Sequence, residues 1–211
     1  MSRVVLLVDD NEQIRHVFVR VLENAGYRVH DAGDLETCMS ELNQDIPDLI
    51  LLDIMMTPVD GWGILKNIRS NPVSSTIPVY MFSGKVLMFE DIIKYGTLID
   101  GFIKKPFVNT FLISTLEEFF IWYEDLLTRC SRSLQMGHDK EDISTYITLK
   151  RQERSIKYLD SLFRSQFGQI QNADNLQYVN DFISKIEAEI GTLEDKIQII
   201  ETGIFSPDVS S

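Results

Sequence analysis

Two adjacent carboxylates, Asp9 and Asp10, follow the apolar run VVLLV at 4–8. A third, Asp53, ends the run DLILLD at 48–53, just before the turn MMTPVDG. A hydroxyl, Ser83, closes IPVYMFS at 77–83, and an ammonium, Lys105, closes GFIKK at 101–105 ahead of Pro106. If these runs are strands of one open α/β sheet, the groups converge on its carboxyl edge, where such sheets bind ligands. Crowded carboxylates repel one another unless a cation neutralises them. Hard oxygen donors with open coordination positions suit Mg²⁺, which shares its shell with phosphate. A lysine and a hydroxyl can hold the remaining phosphoryl oxygens. A carboxylate can also act as nucleophile and become an acyl phosphate. The set reads as Mg²⁺-dependent phosphoryl transfer onto a carboxylate.

Positioning these groups requires strands and helices in alternation, and the first 110 or so residues supply it. The β-rich runs are VVLLV, YRVHDA at 27–32, DLILLD, IPVYMFS and GFIKK. Two of them are almost wholly apolar, as strands buried on both faces of a parallel sheet must be. Between them lie amphipathic helical patterns. Ile14, Val17, Phe18, Val21 and Leu22 follow the helical spacing, and Gly26 stands where a C-terminal cap belongs. Leu35, Cys38, Met39 and Leu42 form a second face, Ile64, Leu65 and Ile68 a third, and Phe89, Ile92 and Ile93 a fourth that stops at Gly96. This alternation predicts an α/β sheet with helices on both faces.

After Pro106 the pattern is helical only. Residues 107–128 are too apolar for either side to face water, so this helix should pack on the sheet first and on another partner later. A polar stretch, 129–142, is expected as a connection, which places the first domain at 1–128. Residues 143–204 then predict a helical hairpin or coiled coil, turning at QNADN, 171–175. Its second helix carries Leu176, Val179, Ile183, Ile186, Ile190, Leu193, Ile197, Ile200 and Ile204, an a/d seam in alternating steps of three and four. The end, 205–211, is expected to be a disordered tail.

Bulk properties narrow the field. With 32 acidic against 20 basic residues the net charge is −12, which disfavours phosphate-rich partners such as nucleic acid or an anionic membrane. Both parts share this balance, at −5 over 1–113 and −7 over 114–211. Cys38 and Cys130, the two cysteines, make neither a disulfide framework nor a metal cluster. The chain opens with no signal-peptide pattern, and its most apolar long stretch, 111–127, contains Glu117, Glu118, Glu124 and Asp125, too many carboxylates for a membrane span. A cytoplasmic setting without a membrane partner is the expectation.

Taken together, VVLLVDD, ILLDIMM with DGW, MFSG and FIKKPF resemble, in order and spacing, the receiver domain of a two-component response regulator over residues 1 to about 113. The variant DIMMTPVDGW is similar to receivers of methanogenic archaea. The resemblance implies a flavodoxin-like, five-stranded parallel sheet in the order 2-1-3-4-5. It implies that Asp53 accepts a phosphoryl group from a sensor histidine kinase, so that the chain is a phosphoacceptor protein and not an enzyme in the usual sense. Asp9, Asp10, Asp53 and the backbone carbonyl of Met55 would hold Mg²⁺. Ser83 and Lys105 would hold the phosphoryl oxygens, Ser83 and Phe102 would form the switch pair, and the bond to Pro106 would be cis. Lys104, the neighbour of Lys105, should point away from the site. The family's usual proline four residues after the acceptor is absent; Thr57 stands there and Pro58 follows, which predicts an altered loop shape.

For the helical part three readings arise. The seam suggests protein docking or a homodimer acting on an unknown downstream protein. The cluster Lys150, Arg151, Arg154 and Lys157 is the support for an alternative, a transcriptional or RNA-binding output domain. A hairpin relaying phosphate needs a helix histidine, and 143–204 contains none. His16, His30 and His138 read as ordinary surface or core residues.

Overall fold

A computed structural model of the chain describes residues 2–167 and 173–205. Five strands, β1 (Val4–Val8), β2 (Arg28–Ala32), β3 (Leu49–Asp53), β4 (Val79–Ser83) and β5 (Gly101–Lys104), form one sheet in the order β2-β1-β3-β4-β5. Every neighbouring pair is parallel. The crossovers are helices α1 (Glu12–Asn24), α2 (Leu35–Gln44), α3 (Gly61–Ser70) and α4 (Phe89–Tyr95), with one turn of 3₁₀ helix at Gly96–Leu98. Three long helices follow: α5 (Asn109–Gln135), α6 (Lys140–Phe167) and α7 (Ala173–Ile204). The architecture is the expected one, a doubly wound sheet followed by a pair of long interacting helices.

The chain divides into two compact units. The first holds the residues up to Met88 together with Leu98–Thr115. The second holds Phe89–Thr97 together with the residues from Leu116 onward. Helix α4 therefore belongs to the helical unit, although the strands it connects belong to the sheet.

In the first unit, β1, β3 and β4 are buried along their whole length, which is why their sequences show no alternation. Side chains cap each of the first three helices. Asn11 accepts from the N–H groups of Gln13 and Ile14 on α1, Asp34 forms a capping box with Thr37 on α2, and Asp60 accepts from Gly63 N–H on α3. Gly26, at φ +92°, closes α1 in the left-handed region where other residues are strained. Val17, expected on the inner face of α1, is instead 57% exposed.

In the second unit, α6 and α7 run antiparallel. Ion pairs mark the register: Arg164 with Glu187 at 3.0 Å and Lys157 with Glu194 at 2.7 Å. Further along, Tyr146 donates to Glu201 at 2.5 Å. From α6, Ile143, Tyr146, Leu149, Ile156, Leu159 and Phe163 are buried; from α7, Val179, Phe182, Ile186, Leu193, Ile197 and Ile204. The expected seam is thus used inside the chain. Phe182 replaces Ile183 as the buried position because its ring meets Phe163 at 4.0 Å and Phe89 of α4 at 4.6 Å. Helix α4 is held by the same two helices. Ser155 on α6 donates to the Gly96 carbonyl at 2.9 Å, and a Cβ on Gly96 would stand 2.6 Å from Ile156 Cδ1.

The segment expected as a polar connection departs most from expectation, since α5 continues through it to Gln135. The physical reason is a buried stripe within a polar sequence. Cys130 and Ser133, three apart, face inward, and the Ser133 hydroxyl donates to the Ile204 carbonyl at 2.7 Å. Gly137, at φ +94°, then ends the helix. Of the turn expected at 171–175, residues 173–175 are helical and 171–172 lie outside the described residues. The side chain of Leu176 and the tail beyond 205 also lie outside them. The basic cluster does not form a free patch. Lys150 and Lys157 both pair with Glu153 at 2.6 Å, Arg154 covers the Trp122 and Phe119 rings at 4.9 and 5.4 Å, and Arg151 stands 5.8 Å over Tyr123.

Candidate functional site

The sheet brings Asp9, Asp53 and Lys105 together. Lys105 Nζ lies 3.1 Å from Asp9 Oδ2 and 3.3 Å from Asp53 Oδ2, tying the residue after β1 to the last residue of β3. It also sits 3.9 Å over the Phe82 ring. Its backbone is anchored to β4, because Lys105 N–H donates to the Ser83 carbonyl at 2.8 Å; the Lys105–Pro106 bond is cis. Lys104 is exposed, as alternation requires.

Asp9 is almost inaccessible, at 1% exposure, and Asp53 is buried. Burial pushes the Asp9 carboxyl above its usual range; Lys105 and the Asn11 N–H pull against it. The latter bond, to Asp9 Oδ1 at 2.9 Å, means that Asp9 braces the start of α1 while Asn11 caps it. Asp53 Oδ1 accepts from Met55 N–H at 3.3 Å. Gly61 lies so close to the end of β3 that a Cβ there would stand 2.0 Å from the Asp53 carbonyl oxygen. Ser83 is fully buried at the tip of β4, its hydroxyl accepting from Lys85 N–H at 3.3 Å. Phe102 is fully buried on β5, in register with Met81 of β4.

Asp10 is placed differently. Its Oδ2 accepts from Thr57 N–H at 3.0 Å and from Thr57 Oγ1 at 3.1 Å. Among the described residues, no three acidic, histidine or cysteine side chains are grouped closely enough to hold a metal ion. In kind the donors nevertheless fit a hard divalent cation: three carboxylates and a main-chain carbonyl on one sheet edge, two of the carboxylates sharing a lysine as their counter-charge. Two contacts went unread in the sequence. One is this Thr57–Asp10 pair. The other is Arg15, which donates to the Asp9 carbonyl at 2.8 Å and pairs with Asp31 at 3.0 Å. Beside Lys105 lies an open apolar depression of about 440 Å³ lined by Gln13, Ile14, Val17, Phe18, Pro106 and Phe107.

A doubly wound sheet with acidic groups, a hydroxyl and a lysine at its carboxyl edge defines a class, and comparison with known proteins identifies it. The model of the response regulator receiver domain matches residues 5–117, more than half of the chain, and the chain belongs to that family. Among curated relatives, the phosphate regulon transcriptional regulatory protein PhoB of Escherichia coli is 31% identical over 117 residues, 56% of this chain and 51% of PhoB. The alkaline phosphatase synthesis transcriptional regulatory protein PhoP of Bacillus subtilis is 32% identical over 107 residues, 51% of this chain and 44% of PhoP. The chain thus spans about half the length of these relatives. Among solved structures, the Vibrio cholerae chemotaxis protein CheY4 is 26% identical with a TM-score of 0.53, covering 56% of this chain and 98% of CheY4. The N-terminal domain of a response regulator receiver protein from Methanoculleus marisnigri is 42% identical with a TM-score of 0.48, covering 55% of this chain and 94% of that domain. Family membership makes residues 5–117 a receiver domain, a module of phosphorelay signalling. Among the described residues, no helix is long and apolar enough to cross a membrane.

Proposed function

We propose that Asp53 is the phosphoacceptor of a cytoplasmic two-component response regulator and that the C-terminal helices carry the signal to a protein partner. The observation that supports the first part is the lysine bridge: Lys105 Nζ reaches both Asp9 and Asp53 at the sheet edge. An Asp53 carboxylate oxygen attacks the phosphorus of a phosphohistidine on a sensor kinase. The P–N bond breaks as the P–O bond forms, the histidine keeps the bonding pair, and an acyl phosphate results. Lys105 leaves its bridge to pair with a phosphoryl oxygen, and the Ser83 hydroxyl donates to another. Phe102 is the aromatic partner of Ser83 in the switch. Asp9, Asp10, Asp53 and the Met55 carbonyl are the groups that would hold Mg²⁺. When bound, that ion neutralises charge building up on the phosphoryl oxygens. The apolar depression beside Lys105 is open to the donor protein. The chain is then a phosphoacceptor that catalyses only its own modification and slow hydrolysis.

The second part is supported by the place of α4. This helix follows Ser83 by only five residues, 84–88, yet it packs in the helical unit, through Phe89 against Phe182 and, just past its end, through Gly96 against Ser155 and Ile156. A shift at Ser83 therefore has a short covalent route to α6 and α7. Because α6 already occupies the seam of α7, docking of a different protein is favoured over a homodimer zipped along that seam. The basic cluster is consumed within the helices, which removes the support for a nucleic-acid output.

The test of the acceptor is labelling with a small phosphodonor and Mg²⁺. Wild type should take up label and Asp53→Ala should take up none. Label retained in Asp53→Ala would place the acceptor elsewhere.

A further inference from the structure

Position 57 is where the chain departs from its family's pattern, and the departure has a chemical consequence. Thr57 gives Asp10 two donors, its N–H and its hydroxyl, both to the same oxygen, Oδ2. A proline at this position supplies neither. On the other side of the site, Lys105 ties Asp9 to Asp53. The three carboxylates are therefore divided between two tethers, and among the described residues they do not group as a metal site. Asp10 is the one held by Thr57.

We infer that Thr57 is a positioning residue that holds Asp10 away from Asp9 and Asp53 and thereby weakens the binding of a divalent cation at this edge. The inference rests on the cation reading given under Proposed function. A cation that draws Asp10 toward Asp9 and Asp53 must pull its carboxylate off these two hydrogen bonds, which, made to a charged group, are stronger than those between neutral groups. The Thr57 hydroxyl contributes one of the two, so its removal should tighten binding by about tenfold, the factor that one net hydrogen bond of this kind is worth. Thr57→Val removes the hydroxyl while keeping the N–H and the branched shape. Thr57→Ser keeps both donors.

The experiment is titration of the full chain with Mn²⁺, following the free-ion signal by electron paramagnetic resonance, with Mg²⁺ as competitor. The expected result is about tenfold tighter Mn²⁺ binding in Thr57→Val and wild-type affinity in Thr57→Ser. Equal or weaker binding in Thr57→Val would overturn the inference, since the hydroxyl would then be idle or would aim Asp10 into the site. Asp10→Asn separates the two levels of failure. If that variant loses binding while the Thr57 variants match wild type, the cation reading stands and the role of Thr57 falls. If wild type and all variants bind no Mn²⁺, the cation reading itself falls, and this inference with it.

Discussion

Gly61 governs how closely the loop after β3 can approach Asp53. Its N–H donates to the Ile54 carbonyl at 3.0 Å, and its missing side chain leaves room for the Asp53 carbonyl oxygen. A methyl group here collides with backbone and not with a side chain that can swing aside. Gly61→Ala should therefore cost about 2–4 kcal/mol of stability, read as a lower urea midpoint with an unchanged slope. A midpoint equal to wild type would mean that the loop yields freely. At this scale the sequence was informative about which groups stand at strand ends, because a strand's last residue is placed by the sheet. It was uninformative about Asp10 and Thr57, which meet across 47 positions through the course of a loop. No local pattern encodes that meeting.

Helices show a similar division. The strands and α1 to α3 were legible because burial on both faces, or on one stripe, leaves a periodic record. The last turns of α5 were not, because Ser133 is polar and its burial depends on the end of α7. Phe182 was passed over because a strict heptad assigns the seam to Ile183, whereas α7 also meets α4. The Lys150–Glu153–Lys157 triplet on α6 allows a pH test. Burial works to raise the Glu153 carboxyl, but the two ammonium groups outweigh it and hold the carboxyl below its ordinary 4.5. The unfolded chain thus takes up the proton more readily than the folded one. The contribution is present above pH 4.5 and is lost as pH falls through the lower folded value. Wild type should melt above Glu153→Gln at pH 7, and the gap should close toward pH 3; a gap independent of pH would show that the triplet is not acting through charge. The bond from Ser155 to the Gly96 carbonyl gives a second test. Ser155→Ala leaves a buried carbonyl short of a donor, at a cost of about 1–3 kcal/mol. Hydrogen exchange should quicken in α4 and in the facing turn of α6, but not in β1. Unchanged exchange in α4 would mean that Ser155 does not hold it.

For the whole molecule, the distribution of charge and of apolar surface sets the terms of association. The net charge of −12 opposes close approach of a second copy unless an apolar face compensates. The main apolar faces of α6 and α7 are already spent on each other. Light scattering should therefore return the 24.3 kDa monomer with and without Mg²⁺ and beryllofluoride. A doubled mass with beryllofluoride would assign the signal to self-association instead. The assignment of α4 to the helical unit was invisible in the sequence, because α4 looks like any other crossover helix between two strands. It also bears on ancestry. A receiver that ends its own business at its last helix can be cut out and spliced before a new output domain by a single recombination event. Here the crossover between β4 and β5 has its partners in α6 and α7, so an exchange at the end of α5 would strand Phe89 and Gly96 among unfamiliar neighbours. The two parts of this chain are expected to be inherited together, with changes at Gly96 tracked by changes at Ser155 and Ile156.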